Sequence, residues 1–126
     1  MNAKRAYQEQ TVRGAHPVRL TILLYDQLIQ DVSRAAEALV DAQLERCAQE
    51  IGHAVAVIGY LQATLRLDSG RDVARNLGRF YTVLRERLME AQVRSSRQIL
   101  IELQQQLIDV REAWVKVEAE TIVTGQ

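Results

Sequence analysis

The spacing of the apolar residues constrains the fold of this chain more than any other feature. In four successive segments an apolar residue returns every three or four positions, which is the period of one face of an α-helix and not the alternation of a strand. The segments run over about 17–40, 44–67, 71–93 and 97–119. The cleanest stripe is in the last segment: Leu100, Leu103, Leu107, Val110, Trp114 and Val117.

Turn and cap residues separate these segments. Pro17, the single proline, stands at the first turn of the first segment, where a missing N–H costs least. Asp68-Ser69-Gly70 is a strong turn signal, and the serine pair 95–96 offers an N-cap for the fourth helix. Helices of similar length joined by short connections fold back on each other, so we predict an all-α, antiparallel four-helix bundle.

The domain prediction is a single unit over residues 1–126. Residues 17–119 form the bundle, preceded by a mobile N-terminal arm at 1–16 and followed by a flexible tail at 120–126. A chain of this length buries a core of its own.

Charge and composition exclude several classes of protein. Lys+Arg and Asp+Glu both number 16, so the net charge is zero, whereas nucleic-acid binders usually carry a basic excess. The N-terminal residues are too polar for a signal peptide and no apolar run reaches the length of a membrane span, so we expect a cytoplasmic protein without nucleic-acid or membrane partners. A net charge near zero gives little repulsion between copies, which is compatible with a monomer or a weak homodimer.

Catalytic and metal-binding patterns are weak. Glu50-x-x-His53 is half of a di-iron carboxylate motif, but a second such motif is missing, and a solvated surface pair is the simpler interpretation. Cys47 lies alone beside the second apolar stripe and is expected to be a small buried residue. We therefore predict no enzyme activity, no metal and no cofactor.

Basic residues on the third segment form an i, i+4 ladder of Arg71, Arg75 and Arg79. Such a ladder can bind anions. The simpler interpretation, which we favour, is ion pairing with the acids of the fourth helix: Glu102, Asp109 and Glu112.

Three segments carry more apolar or small residues than one bundle face requires. The additional positions are Ile22, Tyr25 and Ile29 on the first segment, Gly52, Ala56, Gly59 and Ala63 on the second, and Ile101, Ile108 and Val115 on the fourth. Each stripe either packs against a second neighbouring helix or forms part of a groove for an amphipathic or partly unfolded segment of another protein.

Several short sequences along the chain resemble a known family. They are Tyr7-Gln8, Ala15-x-Pro17, Leu23-Leu24-Tyr25-Asp26, Ala54 through Leu61, Leu67-Asp68 with Gly70, and Arg111-Glu112-Ala113-Trp114. In this order and spacing they resemble the flagellar secretion chaperone FliS family over about residues 6–119.

The resemblance implies a helical bundle that holds the disordered C-terminal segment of flagellin, keeps it from polymerising and passes it to the export apparatus. Export-gate components or a regulator are further partners that it implies. It also implies that the N-terminal arm, anchored here by Tyr7, covers part of the binding surface until the client displaces it. The expected client-binding residues are Tyr7, Leu20, Ile22, Tyr25, Ile29, Gly52, Ala56, Gly59, Ile101, Ile108 and Val115.

Three positions depart from the family pattern. Lys4 stands where a second tyrosine is common, His16 replaces the usual serine or threonine cap, and Gln27 stands where a glycine commonly follows Tyr25-Asp26. The alternatives are therefore a divergent bundle with a different client, a bundle whose stripes bury a homodimer interface, and a ferritin-like metal enzyme using Glu50 and His53.

Overall fold

Four helices make up the computed structural model, which describes residues 17–67 and 71–123. They are α1 (Pro17–Val40), α2 (Leu44–Leu67), α3 (Arg71–Arg94) and α4 (Arg97–Val123), and no strand occurs in the described residues. The all-α prediction is confirmed. The predicted arm, residues 1–16, lies outside the described residues, as do residues 124–126 of the predicted tail.

The last helix is longer than the sequence suggested. It ends at Val123 and not near Ala119, so residues 120–123 are helical and do not belong to a tail. The reason is local, because no glycine or proline interrupts the helix-forming residues before Gly125.

The helices form a ring in chain order. α1 packs most extensively, against both α2 and α4, α3 packs against α2, and the α3–α4 contact is the least extensive of the four. Since α1 and α3 lie on one diagonal of the ring, and α2 and α4 on the other, each helix has two direct neighbours.

The two described connections are short turns of one type. At the end of α1 the Gln43 N–H donates to the Ala38 carbonyl (2.8 Å) and the Ala42 N–H to the Leu39 carbonyl (3.1 Å). This pair of bonds is the Schellman motif, which places Ala42 in the left-handed region at φ 53°.

The connection from α3 to α4 repeats this geometry. Ser95 has φ 49°, and the Ser96 N–H donates to the Ala91 carbonyl at 2.9 Å. The Ser96 hydroxyl then accepts the Ile99 N–H at 3.2 Å, so Ser96 is the N-cap of α4, as the sequence predicted.

The core runs along the centre of the ring. Its largest fully buried side chains come from all four helices: Tyr25, Tyr81, Leu24, Leu28, Ile51, Ile58, Leu61, Leu84, Leu88, Leu100 and Leu103. Cys47 is 2% exposed, as expected of a small core residue, and burial raises the pKa of its thiol.

Candidate functional site: the seam between the first and last helices

Two ion pairs between partly exposed side chains mark the register of α1 against α4. Arg19 bonds Glu118 through two atoms, with Nε at 2.8 Å from Oε2, and Arg111 Nε bonds the Asp26 carboxylate. The bond to Asp26 raises the pKa of Arg111. A step of seven residues along α1, from 19 to 26, matches a step of seven back along α4, from 118 to 111, so one antiparallel register accounts for both pairs.

The same register aligns the additional apolar residues of the two helices. Residue 29 is level with residue 108, and residue 22 with residue 115. Each is three or four positions from Asp26 or Arg111, so each lies on the neighbouring surface of its helix. Ile29, Ile101 and Ile108 are half-buried, and Val115 is 39% exposed. We call these four residues, with the two ion pairs, the α1/α4 seam.

Three residues that the sequence placed on an accessible binding surface are buried. Ile22 and Tyr25 are 0% exposed and Leu20 is 8% exposed. Leu20 and Tyr25 belong to the core cluster, because α1 packs against helices on two sides and its buried surface is wider than one helical face. Ile22 is buried outside that cluster. The Tyr25 hydroxyl is buried with its side chain.

The small-residue stripe of α2 lies on another surface. Gly52, Ala56 and Gly59 are exposed, and a Cβ placed on either glycine would meet no other atom within 4 Å. α2 contacts α1 and α3 but not α4, so none of these three residues lies between α1 and α4. Tyr7 is outside the described residues.

A buried polar contact spans the diagonal of the ring. The Tyr25 and Tyr81 hydroxyls are 3.0 Å apart, and the half-buried Trp114 packs against the same core. Burial raises the pKa of both phenols, and the neighbouring Tyr25 adds to the effect on Tyr81. The two hydroxyls join α1 to α3 across the bundle, a connection that helical periodicity alone could not predict.

A second polar cluster joins α1 to α2. Asp31 is 1% exposed, and its carboxylate accepts His53 Nδ1–H at 2.6 Å and the Gln27 amide at 2.9 Å. The sequence signal for this cluster was Asp31 itself, an acid among the core-facing positions of α1. His53 is thus an orienting partner of Asp31, and the expected solvated pair with Glu50 is not what the structure contains.

Among the described residues there is neither a metal centre nor the predicted pairing of Arg75 and Arg79 with the acids of α4, and the Arg71 side chain lies outside the description. No three His, Cys, Asp or Glu side chains in 17–67 and 71–123 come together in a way that could hold a metal ion. Glu102 accepts a hydrogen bond at 3.1 Å from Arg87, which is outside the predicted ladder. Asp109 accepts one from Gln105 at 3.0 Å. Arg75 and Arg79 are exposed.

Comparison with known proteins identifies the family. The sequence model described as flagellar protein FliS matches residues 1–121. The chain belongs to the FliS family. Among its relatives is the flagellar secretion chaperone FliSB of Pseudomonas aeruginosa, 31% identical over 118 residues that cover 90% of this chain and 94% of the relative.

Two further FliS relatives align over most of their length. The flagellar secretion chaperone FliS of Bacillus subtilis is 28% identical over 90% of this chain and 84% of its own. The flagellar secretion chaperone FliS of Salmonella typhimurium is 27% identical over a region that covers 86% of this chain and 82% of the relative.

One departure from the FliS pattern now has a structural explanation. Gln27 donates to the buried Asp31, so the amide contributes to the polar cluster between α1 and α2. Lys4 and His16 lie outside the described residues. None of the described helices has a stretch long and apolar enough to cross a bilayer.

Proposed function

We propose that this chain is a cytoplasmic export chaperone that binds the disordered C-terminal segment of flagellin. It prevents premature polymerisation and delivers the client to the flagellar export apparatus. It acts by binding alone, without a cofactor and without enzyme activity. Membership of the FliS family and the names of the relatives are the observation that carries the proposal.

The client contacts the α1/α4 seam. Ile29, Ile101, Ile108 and Val115 present a half-exposed apolar strip along two helices, which suits the apolar face of an amphipathic segment. Leu20, Ile22 and Tyr25 support this strip from below and do not contact the client directly.

Two further elements extend the proposed contact. The exposed stripe of Gly52, Ala56 and Gly59 lets a second part of a wrapped client approach the α2 backbone closely. Tyr7 anchors the N-terminal arm, which the client displaces.

A matched pair of substitutions tests the site. Val115 and Val117 lie on the same helix at 39% and 40% exposure, but two residues apart they point to nearly opposite sides. Val115→Asp places a charge in the strip, and we expect it to weaken binding of a labelled flagellin C-terminal peptide about tenfold or more. Val117→Asp is expected to change the affinity by less than about twofold.

Fluorescence anisotropy measures both affinities, and far-UV circular dichroism verifies that both variants fold. If the unmodified chain shows no saturable binding, the proposed function is wrong. If it binds but Val117→Asp weakens binding as much as Val115→Asp, the function stands and the seam is the wrong site.

A further inference from the structure

The third helix is attached to the bundle mainly by its second half. Its four fully buried side chains begin at the middle of the helix: Tyr81, Leu84, Leu88 and Ala91. From Asp72 to Phe80 no side chain is buried, and Leu77 and Phe80 are covered only in part. The first half of α3 therefore contributes little burial to the bundle.

The polar contacts of α3 show the same asymmetry. Its side chains bond other helices from Tyr81 to Tyr25 (3.0 Å), from Arg85 to Gln62 (2.7 Å) and from Arg87 to Glu102 (3.1 Å). Between 72 and 80, no side chain bonds another described helix. Among the described side chains, residues 72–80 are therefore held to the other helices by the partial packing of Leu77 and Phe80 against the core and not by hydrogen bonds or ion pairs.

Intrinsic propensity adds to this difference. Asp72, Asn76 and Gly78 are weak helix formers, and all three are in the first half of α3. A segment with few buried contacts and low propensity opens at a lower free energy than the whole domain.

We propose that residues 72–80 unfold and refold as a separate cooperative unit while the rest of the bundle stays folded. Opening of this unit uncovers apolar side chains of the neighbouring helices, beginning with Leu65 of α2, whose Cδ1 lies 4.0 Å from the Cβ position at Gly78. In the closed bundle this apolar surface is covered by residues 72–80 of α3. The inference does not depend on the proposed function, because it concerns the free chain.

Amide hydrogen exchange of the full chain in low concentrations of denaturant tests this unit. The first four amides of any helix lack an intrahelical acceptor and exchange fast, so the decisive amides are those of residues 75–80. We expect these amides to share one opening free energy, below that of global unfolding, with a clear dependence on denaturant that reports exposed surface. Exchange of these amides only through global unfolding, or with no denaturant dependence, would overturn the proposal.

Two glycine substitutions provide a second, matched test. Gly78→Ala adds a contact with Leu65 and removes the helix penalty of glycine, so we expect about fivefold higher protection at 75–80. Gly59→Ala removes the same penalty in α2, at a position open to solvent, and should leave protection at 75–80 within about twofold. Equal protection in both variants would mean that the segment opens only with the whole domain.

Discussion

Helices α1 and α3 have the same length of 24 residues but very different roles in the bundle. α1 is buried along its whole length, from Leu20 to Ala38, whereas α3 is buried only from Tyr81 to Ala91. α1 touches two neighbours extensively, and α3 meets α4 over the smallest contact in the ring. Two helices with the same apolar periodicity in the sequence can therefore be buried to very different extents in the bundle.

Residues outside the apolar stripe explain this difference. α1 has Ile22, Tyr25 and Ile29 beside its stripe, which lets it pack against α2 on one side and α4 on the other. α3 has arginines, Asp72 and Asn76 in the corresponding places of its first half. α1 packs against its neighbours along its whole length, whereas α3 packs closely only through its C-terminal part.

The strongest test of this comparison is a pair of leucine truncations. Leu28 is 0% exposed at the centre of α1, and Leu28→Ala should lower the free energy of unfolding by about 2–5 kcal/mol because it leaves a cavity. Leu77 in the first half of α3 is half-buried, and Leu77→Ala should cost about 1 kcal/mol. Urea unfolding monitored by circular dichroism measures both values, and equal losses would contradict the comparison.

The next test concerns the polar link between α1 and α2. His53→Ala removes one donor from the buried Asp31 carboxylate, and we expect a loss of about 1.5–3 kcal/mol in the free energy of unfolding. His53→Asn, whose amide is able to donate to the same oxygen, should recover part of it. Glu50→Ala is the control on the same helix, with an expected change within about 0.5 kcal/mol. A similar loss in that control would mean that the bond to Asp31 is not the cause, since alanine is the better helix former at both positions.

The buried contact between Tyr25 of α1 and Tyr81 of α3 should make the stability of the bundle depend on pH in alkaline solution. Burial raises the pKa of Tyr25 and Tyr81, so the unfolded chain releases phenolic protons above about pH 10 that the folded chain keeps. Stability is therefore complete below that pH and declines above it, by up to about 1.4 kcal/mol per tyrosine for each pH unit.

Phenolate absorbance followed together with circular dichroism measures this decline. Tyr25 and Tyr81 should ionise only as helicity is lost, and the double variant Tyr25→Phe, Tyr81→Phe should show a shallower decline. Full ionisation of the tyrosines in a folded bundle would show that the contact is not buried in solution.

The smallest expected effects are at the two short turns. Ala42 and Ser95 have positive φ, a conformation that glycine adopts without strain. Ala42→Gly and Ser95→Gly should each raise the free energy of unfolding by about 0.5–1 kcal/mol, which thermal denaturation can resolve. A decrease at either position would mean that the turn does not adopt the left-handed conformation in solution.

The sequence predicted the individual helices well and the packing of one helix against another less well. Apolar spacing and the cap at Ser96 predicted the four helices closely, because both signals are local. The sequence left open whether Ile22 and Tyr25 pack against a second helix or stay accessible, since the width of a buried face depends on how many neighbours a helix has. Those neighbours are set by tertiary packing that one stripe does not encode.

The candidate site was predictable in part for the same reason. The residues of α1 and α4 that form the seam were named from their spacing, but the register that aligns Ile29 with Ile108 is known only once distant positions, such as Asp26 and Arg111, are seen to pair. The stripe on α2 faces a different direction, which no local pattern indicates. The bond from Asp31 to His53 likewise joins residues 22 positions apart.

Calorimetric titration of the purified chain with a peptide covering the flagellin C-terminal segment decides whether flagellin is the client. We expect saturable one-to-one binding whose enthalpy becomes more negative as temperature rises, because the client buries apolar surface as it folds on the bundle. The absence of saturable heat at every temperature tested, with the bundle folded, would contradict the claim that flagellin is the client.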